Sequence, residues 1–244
     1  RFRPSVLQQE RVAAGHLGRK TGRGYYDYGE GAVLPSPRTE LPAARPSRVT
    51  LAGASVLAEG LAARLRAAGL HVATSPADAA LAPGHLVADG TLLVPCDGRT
   101  ATAIAAACGH PDVVVFDLAF DYAKCARLAV AAADGCSPAA VAAAVGALQA
   151  AGMAVSRLDD VAGLPGMRTV AMLANEAADA VTQGIASARD VDLAMMRGVN
   201  YPRGPLAWAD AIGVPHLRAT LHHLAAHYGE DRYRLAPLIA RRGA

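Results

Sequence analysis

The chain has 244 residues, of which 52% are hydrophobic and 18% charged, so it is neither a disordered tail nor a collagen-like chain. This length buries a sizeable core without staples, in one large domain or two small ones. The net charge of +3 comes from an Arg-heavy balance with Lys20 and Lys124 as the only lysines. It fits a GC-rich genome, which also explains the alanine excess. The arginines do not cluster with aromatics, which speaks against a nucleic-acid partner.

Four cysteines, Cys96, Cys108, Cys125 and Cys136, form no C-x-x-C pair. Reduced thiols and a cytoplasmic protein are expected, without a zinc ribbon or a disulfide framework. The start, Arg1-Phe2-Arg3-Pro4, opens into a polar helix without an initiator Met or a secretory signal, so a fragment is expected. The apolar run from Pro138 to Val155 is Ala- and Gly-rich and is interrupted by Gln149. It reads as a buried helix followed by a strand, not a membrane span.

Residues 1–46 form the first zone. Val6 to Ala14 reads as a short helix ended by Gly15. A Gly-punctuated loop, Leu17 to Tyr28, follows, and Pro35, Pro37, Pro42 and Pro46 mark a linker. Residues 47–161 alternate strands and helices. Strands are expected at Val49–Ala52, His71–Thr74, Leu92–Pro95, Val113–Asp117 and Ala154–Leu158. Helices are expected at Val56–Ala68, Thr100–Cys108 and from Ser137-Pro138 to Ala151. Such alternation predicts a parallel sheet covered on both faces. Residues 162–244 read as all helix, punctuated by Gly184, Gly198, Gly213 and Gly229. Ser187-Ala188-Arg189-Asp190 is a capping box before a helix at Val191–Arg197. An echo links Arg1-Phe2-Arg3-Pro4-Ser5-Val6-Leu7 with Arg232-Tyr233-Arg234-Leu235-Ala236-Pro237-Leu238, as if the first zone were the tail of an earlier copy of the last.

The first strand–helix junction is where a dinucleotide fingerprint belongs. Here the loop is degenerate. Gly53 is present, but Ser55 and Ala58 stand where the second and third glycines would be, and the second strand ends at Thr74-Ser75-Pro76 without an acid for a ribose. A Rossmann-like unit without cofactor binding is expected. His222, His223 and His227 share a helix, and His223 and His227 have metal-ligand spacing. With no Glu between them they read as a solvated helix face, and no metal site is expected. Asp117, Asp121, Asp159 and Asp160 sit near strand ends. They read as caps and turns, a lone general base being the alternative. There is no G-x-S-x-G and no P-loop. Met195, Met196 and Trp208 read as helix core, with Met195 and Trp208 the candidates for an interface. Arg19 and Lys20 are either solvated or in contact with a substrate phosphate.

The last zone carries Asp192-x-Ala194-Met195-x-x-Gly198-x-x-Tyr201-Pro202-x-Gly204-Pro205-x-x-x-x-Asp210-x-x-Gly213, preceded by Asn175-Glu176-Ala177 and followed by Arg232-Tyr233-Arg234. This resembles the C-terminal helical domain of the 3-hydroxyacyl-CoA dehydrogenases, of the 3-hydroxybutyryl-CoA dehydrogenase type. Leu17-Gly18-Arg19-Lys20-Thr21-Gly22-x-Gly24-Tyr25-Tyr26 is similar to the end of that same domain. The order of zones resembles the C-terminal half of a long, two-copy enzyme. The resemblance covers nearly the whole chain, most thinly over residues 70–110.

The resemblance implies a reduced Rossmann-like α/β domain followed by an all-α domain. It also implies a parent enzyme that oxidises 3-hydroxyacyl-CoA to 3-oxoacyl-CoA in fatty acid metabolism, with NAD bound by a domain outside this chain. Acyl-CoA is the implied substrate, and a homodimer or intramolecular pairing of helical domains the implied assembly, with neither membrane nor nucleic acid as partner. The family's catalytic residues do not carry over. Its H-F-F-N-P stretch falls on Phe116 to Asp121, which has no His, its Glu falls near Val130, and its substrate-side Asn near Met167. The expected role is support of dimer geometry and of the substrate cleft. A non-catalytic acyl-CoA-binding or scaffold module is the rival reading. A 6-phosphogluconate-dehydrogenase-like relative is disfavoured by the broken fingerprint and the Pro202-Arg203-Gly204-Pro205 loop.

Overall fold

The computed structural model describes residues 4–76 and 84–243. The chain divides between Arg38 and Thr39 into two compact units. In the first, α1 (Val6–Ala13) opens with a capping box in which Gln8 N–H donates to Ser5 Oγ and Ser5 N–H donates to Gln8 Oε1. Gly15 follows it with φ +73°. The segment after it is a 3-10 turn, Arg19–Thr21, between isolated bridges Gly18–Arg23 and Arg23–Asp27. Of the echo between the chain's ends, Arg1, Phe2 and Arg3 lie outside the described residues.

The second unit begins with a segment that is more than a linker. Glu40 N–H donates to Val155 O, and Arg157 pairs with Glu40 at 3.2 Å. Ala43 N–H donates to Gln149 Oε1 at 2.8 Å, and Gln149 Nε2 donates to the carbonyls of Glu40 and Leu41. Gln149, the polar break in the longest apolar run, therefore clamps the Pro-containing segment onto its helix. The expectation of a plain linker through residue 46 is corrected for residues 39–46.

Seven strands follow: β1 (Val49–Ala52), β2 (Val72–Ser75), β3 (His85–Ala88), β4 (Thr91–Pro95), β5 (Val113–Phe116), β6 (Arg127–Ala132) and β7 (Ala154–Arg157). They form one sheet in the order β2-β1-β3-β4-β5-β6-β7. The expected all-parallel sheet is wrong. β1–β3, β3–β4 and β5–β6 are antiparallel, and only β1–β2, β4–β5 and β6–β7 are parallel. For β3 and β4 the reason is a hairpin at Asp89-Gly90, where both residues have positive φ, 45° and 90°, as a tight two-residue turn requires. Asp89 fixes that turn by accepting from Ser47 N–H, Ser47 Oγ–H and Arg48 N–H.

Helices α2 (Val56–Ala67), α3 (Ala101–Cys108) and α4 (Pro138–Ala150) cover the sheet. α2 turns Leu57, Ala58, Leu61, Ala62 and Leu65 inward, the spacing of one helical face. β4 and β5 are buried along their whole length, as central strands covered on both faces are. At about 25 cal/mol per Å² of apolar surface removed from water, this layer is the main source of the unit's stability.

The rest of the unit is helical: α5 (Pro165–Thr182), α6 (Ala188–Gly198), α7 (Pro205–Ile212), α8 (Val214–Tyr228) and α9 (Pro237–Arg242). α5 is the hub, with Ala171, Ala174, Ala177 and Ala178 buried so that its neighbours approach closely. Its buried Asn175 donates to Arg234 O and accepts from Ala236 N–H, which sets the entry to α9. Gly184, Gly213 and Gly229 have positive φ at or just after helix ends, whereas Gly198 is the last residue of α6 and does not. No helix among the described residues is long and apolar enough to cross a membrane.

Candidate functional site

The degenerate glycine loop lies at the N-terminus of α2. Gly53 keeps the left-handed φ, +70°, that the tight turn needs. Ser55 is the N-cap, its Oγ accepting from Ala58 N–H at 3.4 Å. The chain itself covers this helix end. A Cβ placed on Gly84 would lie 2.5 Å from both Ser55 N and Ser55 Cβ, so the Gly84 backbone is packed against the Ala54-Ser55 segment just before the helix. Against the dinucleotide fingerprint, the loop keeps Gly53 and carries side chains at Ser55 and Ala58.

Beside it lies a cavity of about 430 Å³, between the end of β4 and α8. The chain leaves β4 through Cys96, Asp97, Gly98 and Arg99. Gly98 has φ +94°, and a Cβ there would sit 2.5 Å from Thr220 O, so the loop is pressed against α8. Asp97 is buried, and its carboxylate accepts from Arg99 N–H, Nε–H and Nη2–H, the last at 2.5 Å. Two histidines of α8 reach the same loop: His216 Nε2 is 2.9 Å from Cys96 O, and His223 Nδ1 is 2.7 Å from Asp97 O. A carbonyl only accepts, so these two nitrogens carry the protons. His223 Nδ1 is also 3.8 Å from Asp97 Oδ1. Burial pushes the neighbouring Cys96 thiol far up, which keeps it unreactive.

A second, shallower groove of about 310 Å³ lies across α2 and α7. Trp208 meets Phe120 edge-on at 5.5 Å between centroids, and the Arg203 guanidinium lies 4.7 Å over the Phe120 ring. Trp208 is half-buried against the core of the sheet.

The acids near strand ends are caps. Asp117 is buried and accepts from Leu118, Gly166 and Met167 N–H, closing the start of α5. Burial raises its carboxyl above the ordinary range, the three amides acting against that shift. Asp160 accepts from Ala101 and Thr102 N–H at the start of α3, and Asp121 caps the 3-10 turn Tyr122–Lys124. Asp159 is exposed. Asp192 accepts from Leu206 and Ala207 N–H, which accounts for its place twelve residues before Gly204. A side chain at Gly204 would collide with the Asp192 carboxylate.

His223 corrects an expectation: it is half-buried against Asp97, while His222 and His227 remain exposed. No group of three His, Cys, Asp or Glu among the described residues is placed to hold a metal ion. Arg19 and Lys20 are exposed in the first unit, with Arg19 stacked over Tyr28 at 5.4 Å. Met195 is half-buried on α6, and Met196 is exposed. Asp97, Arg99, His216 and Gly84 escaped the sequence reading. Asp97-Gly98 between a strand and a helix is a turn signal, but nothing local shows that α8 returns to it.

Comparison with known proteins agrees with this architecture. Residues 93–161 match the family model of the 3-hydroxybutyryl-CoA dehydrogenase reduced Rossmann-fold domain, so a Rossmann-fold unit is part of this chain. Residues 163–243 match the 3-hydroxyacyl-CoA dehydrogenase C-terminal domain. An Escherichia coli K12 protein named 3-hydroxyadipyl-CoA dehydrogenase is 35% identical over 242 residues, which is 99% of this chain and 44% of that protein. A Clostridioides difficile 3-hydroxybutyryl-CoA dehydrogenase is 36% identical over 85 residues, 34% of this chain and 30% of that protein. The crystal structure of an Escherichia coli K12 3-hydroxybutyryl-CoA dehydrogenase superposes with TM-score 0.78 at 33% identity, over 99% of this chain and 44% of its own. The chain thus spans less than half the length of these relatives. With both family models side by side and a likeness that runs over almost every residue, the chain belongs to the 3-hydroxyacyl-CoA dehydrogenase family.

Proposed function

We propose that this chain is the non-catalytic C-terminal half of an NAD-dependent 3-hydroxyacyl-CoA dehydrogenase. The whole enzyme oxidises 3-hydroxyacyl-CoA to 3-oxoacyl-CoA, and NAD is bound by a domain outside this chain. The observation that carries the reading is the Gly84 backbone lying against Ser55 at the start of α2. Two others support it. The stretch Phe116 to Asp121, where the family's catalytic His would fall, has none, and its Asp117 is committed to capping α5.

The role left is architectural: residues 47–161 as a reduced Rossmann-like domain and residues 162–244 as the helical domain that pairs with another. The helix α6 supports the pairing. It buries no residue, and Leu193, Met196 and Val199 stay 47%, 40% and 55% exposed. Met195 would join this face, and Trp208 would wall the groove beside it. Arg19 and Lys20 are proposed contacts for the phosphates of acyl-CoA. The test is direct. The chain, mixed with NAD and 3-hydroxybutyryl-CoA, should show no turnover and should not quench NADH fluorescence. In sedimentation it should associate, and Leu193→Arg should make it a monomer. Micromolar NADH binding would overturn the non-catalytic reading, and a wild-type monomer the pairing.

A further inference from the structure

We propose that the cavity between the end of β4 and α8 binds a short-chain carboxylate, held by the outward nitrogens of His223 and Arg99. The proposal is independent of whether the chain pairs or catalyses. Asp97 uses both carboxylate oxygens on Arg99, and Arg99 gives it Nε and Nη2, so among the described residues Nη1 has no hydrogen-bond partner. His223 spends Nδ1 on the Asp97 carbonyl, and among the described residues Nε2 has no partner either. Both residues line the cavity. With the imidazole protonated, Asp97, Arg99 and His223 together carry one net positive charge, which matches one monoanion. Nε2–H and Nη1–H then each donate to a carboxylate oxygen, a charge-assisted pair of the stronger kind.

Most of the remaining wall is apolar, with Val56, Val94, Ile212, Pro215 and Ala219, and Ser55 and His216 are its other polar residues. A space of this size with a few converging polar groups is the usual form of a small-molecule site. The chemistry calls for one acid group and a short hydrocarbon body. The buried Asp97 fixes the Arg99 fork, and the Asp97 carbonyl fixes the ring, so little ordering remains for binding to impose.

Calorimetric titration of the whole chain with sodium hexanoate tests the proposal, with hexanamide and butyryl-CoA as comparisons. Hexanoate should bind, hexanamide should bind at least about tenfold more weakly, the loss expected when a charge-assisted bond becomes neutral. Butyryl-CoA, which has no free carboxylate, should not displace hexanoate. His223→Gln keeps a donor for the Asp97 carbonyl and should lose about tenfold in hexanoate affinity. Should that variant fail to fold, the nitrogen resonances of His223 in the wild-type chain give the same answer: Nε2 should move on adding hexanoate. Absence of hexanoate binding, equal binding of hexanamide, displacement by butyryl-CoA, unchanged affinity in folded His223→Gln, or a static Nε2 resonance would each overturn it.

Discussion

Two ways of closing a helix start can be compared in the second unit. The starts of α3, α5 and α7 are closed by carboxylates from elsewhere in the chain: Asp160, Asp117 and Asp192. The start of α2 is closed by its own Ser55 and by the passing backbone of Gly84. Exposed amides at a helix start are the feature that binds phosphate in a dinucleotide fold. Where a carboxylate seals them, the result is stability and a fixed position for the helix. Where backbone packs against the loop before a helix, the contact is van der Waals packing and leaves no charge at the helix start. In the helical part, Asp192 and Gly204 of the motif have a structural use, since the Asp192 carboxylate caps α7 and Gly204 leaves room for it.

Breaking the carboxylate seals should be the largest effect. Asp117→Ala leaves three amide donors without an acceptor in a buried place, a loss of about 3 kcal/mol in urea unfolding. Next comes crowding of the seal at α7. Gly204→Ala pushes a methyl into Asp192 and should lose about 2 kcal/mol, with Asp192→Ala partly relieving it in the double variant. Additive losses would show that Asp192 and Gly204 do not meet.

The α2 seal gives smaller effects and a sharper contrast. Ser55→Ala should lose about 1 kcal/mol, the usual value of an N-cap hydroxyl. Restoring the fingerprint with Ser55→Gly and Ala58→Gly should not bring NADH binding in a fluorescence titration. The obstacle is the Gly84 backbone, which those substitutions leave in place. Binding regained by two glycines alone would mean that side chains, not backbone, had closed the site.

Much of this was legible locally. The N-cap at Ser187, where Asp190 meets the Ser187 hydroxyl and does not close the reciprocal half of the expected capping box, the Pro-started helix at Ser137 and the runs Val49–Ala52 and Val113–Phe116 follow from propensity and turn chemistry. β6 was not. Arg-Leu-Ala-Val-Ala-Ala is Ala-rich, with weak strand preference, and is held extended by β5 and β7 on either side. β3 differs: Asp89-Gly90 is a strong hairpin signal, but the strand before it, His85-Leu86-Val87-Ala88, is only four residues long and lies close to a Pro- and Gly-containing stretch. Missing those two strands is what turned a mixed sheet into a parallel one. The Asp97 cluster was out of reach because its partners lie more than a hundred residues away on α8.

The finest test of the comparison is pH, because the carboxylates do not all titrate alike. Asp89 and Asp112, both open to water, are held below the ordinary carboxylate range by their bonds to Ser47 and Ser137. Their support is present at neutral pH and is lost as pH falls through the native values. Asp117 goes the other way. Burial holds its native carboxyl above the ordinary range, so between the unfolded and native values the folded chain binds more protons than the unfolded one. Stability from this group therefore falls as pH rises through that window. Unfolding of wild type and Asp117→Asn should be followed from the acid side of the carboxylate range to neutrality. The wild type's advantage over the variant should shrink as pH rises and level off once Asp117 is ionised. An advantage that grows with pH would mean that the three amides outweigh burial, making the α5 seal electrostatic rather than a strained fit in the core.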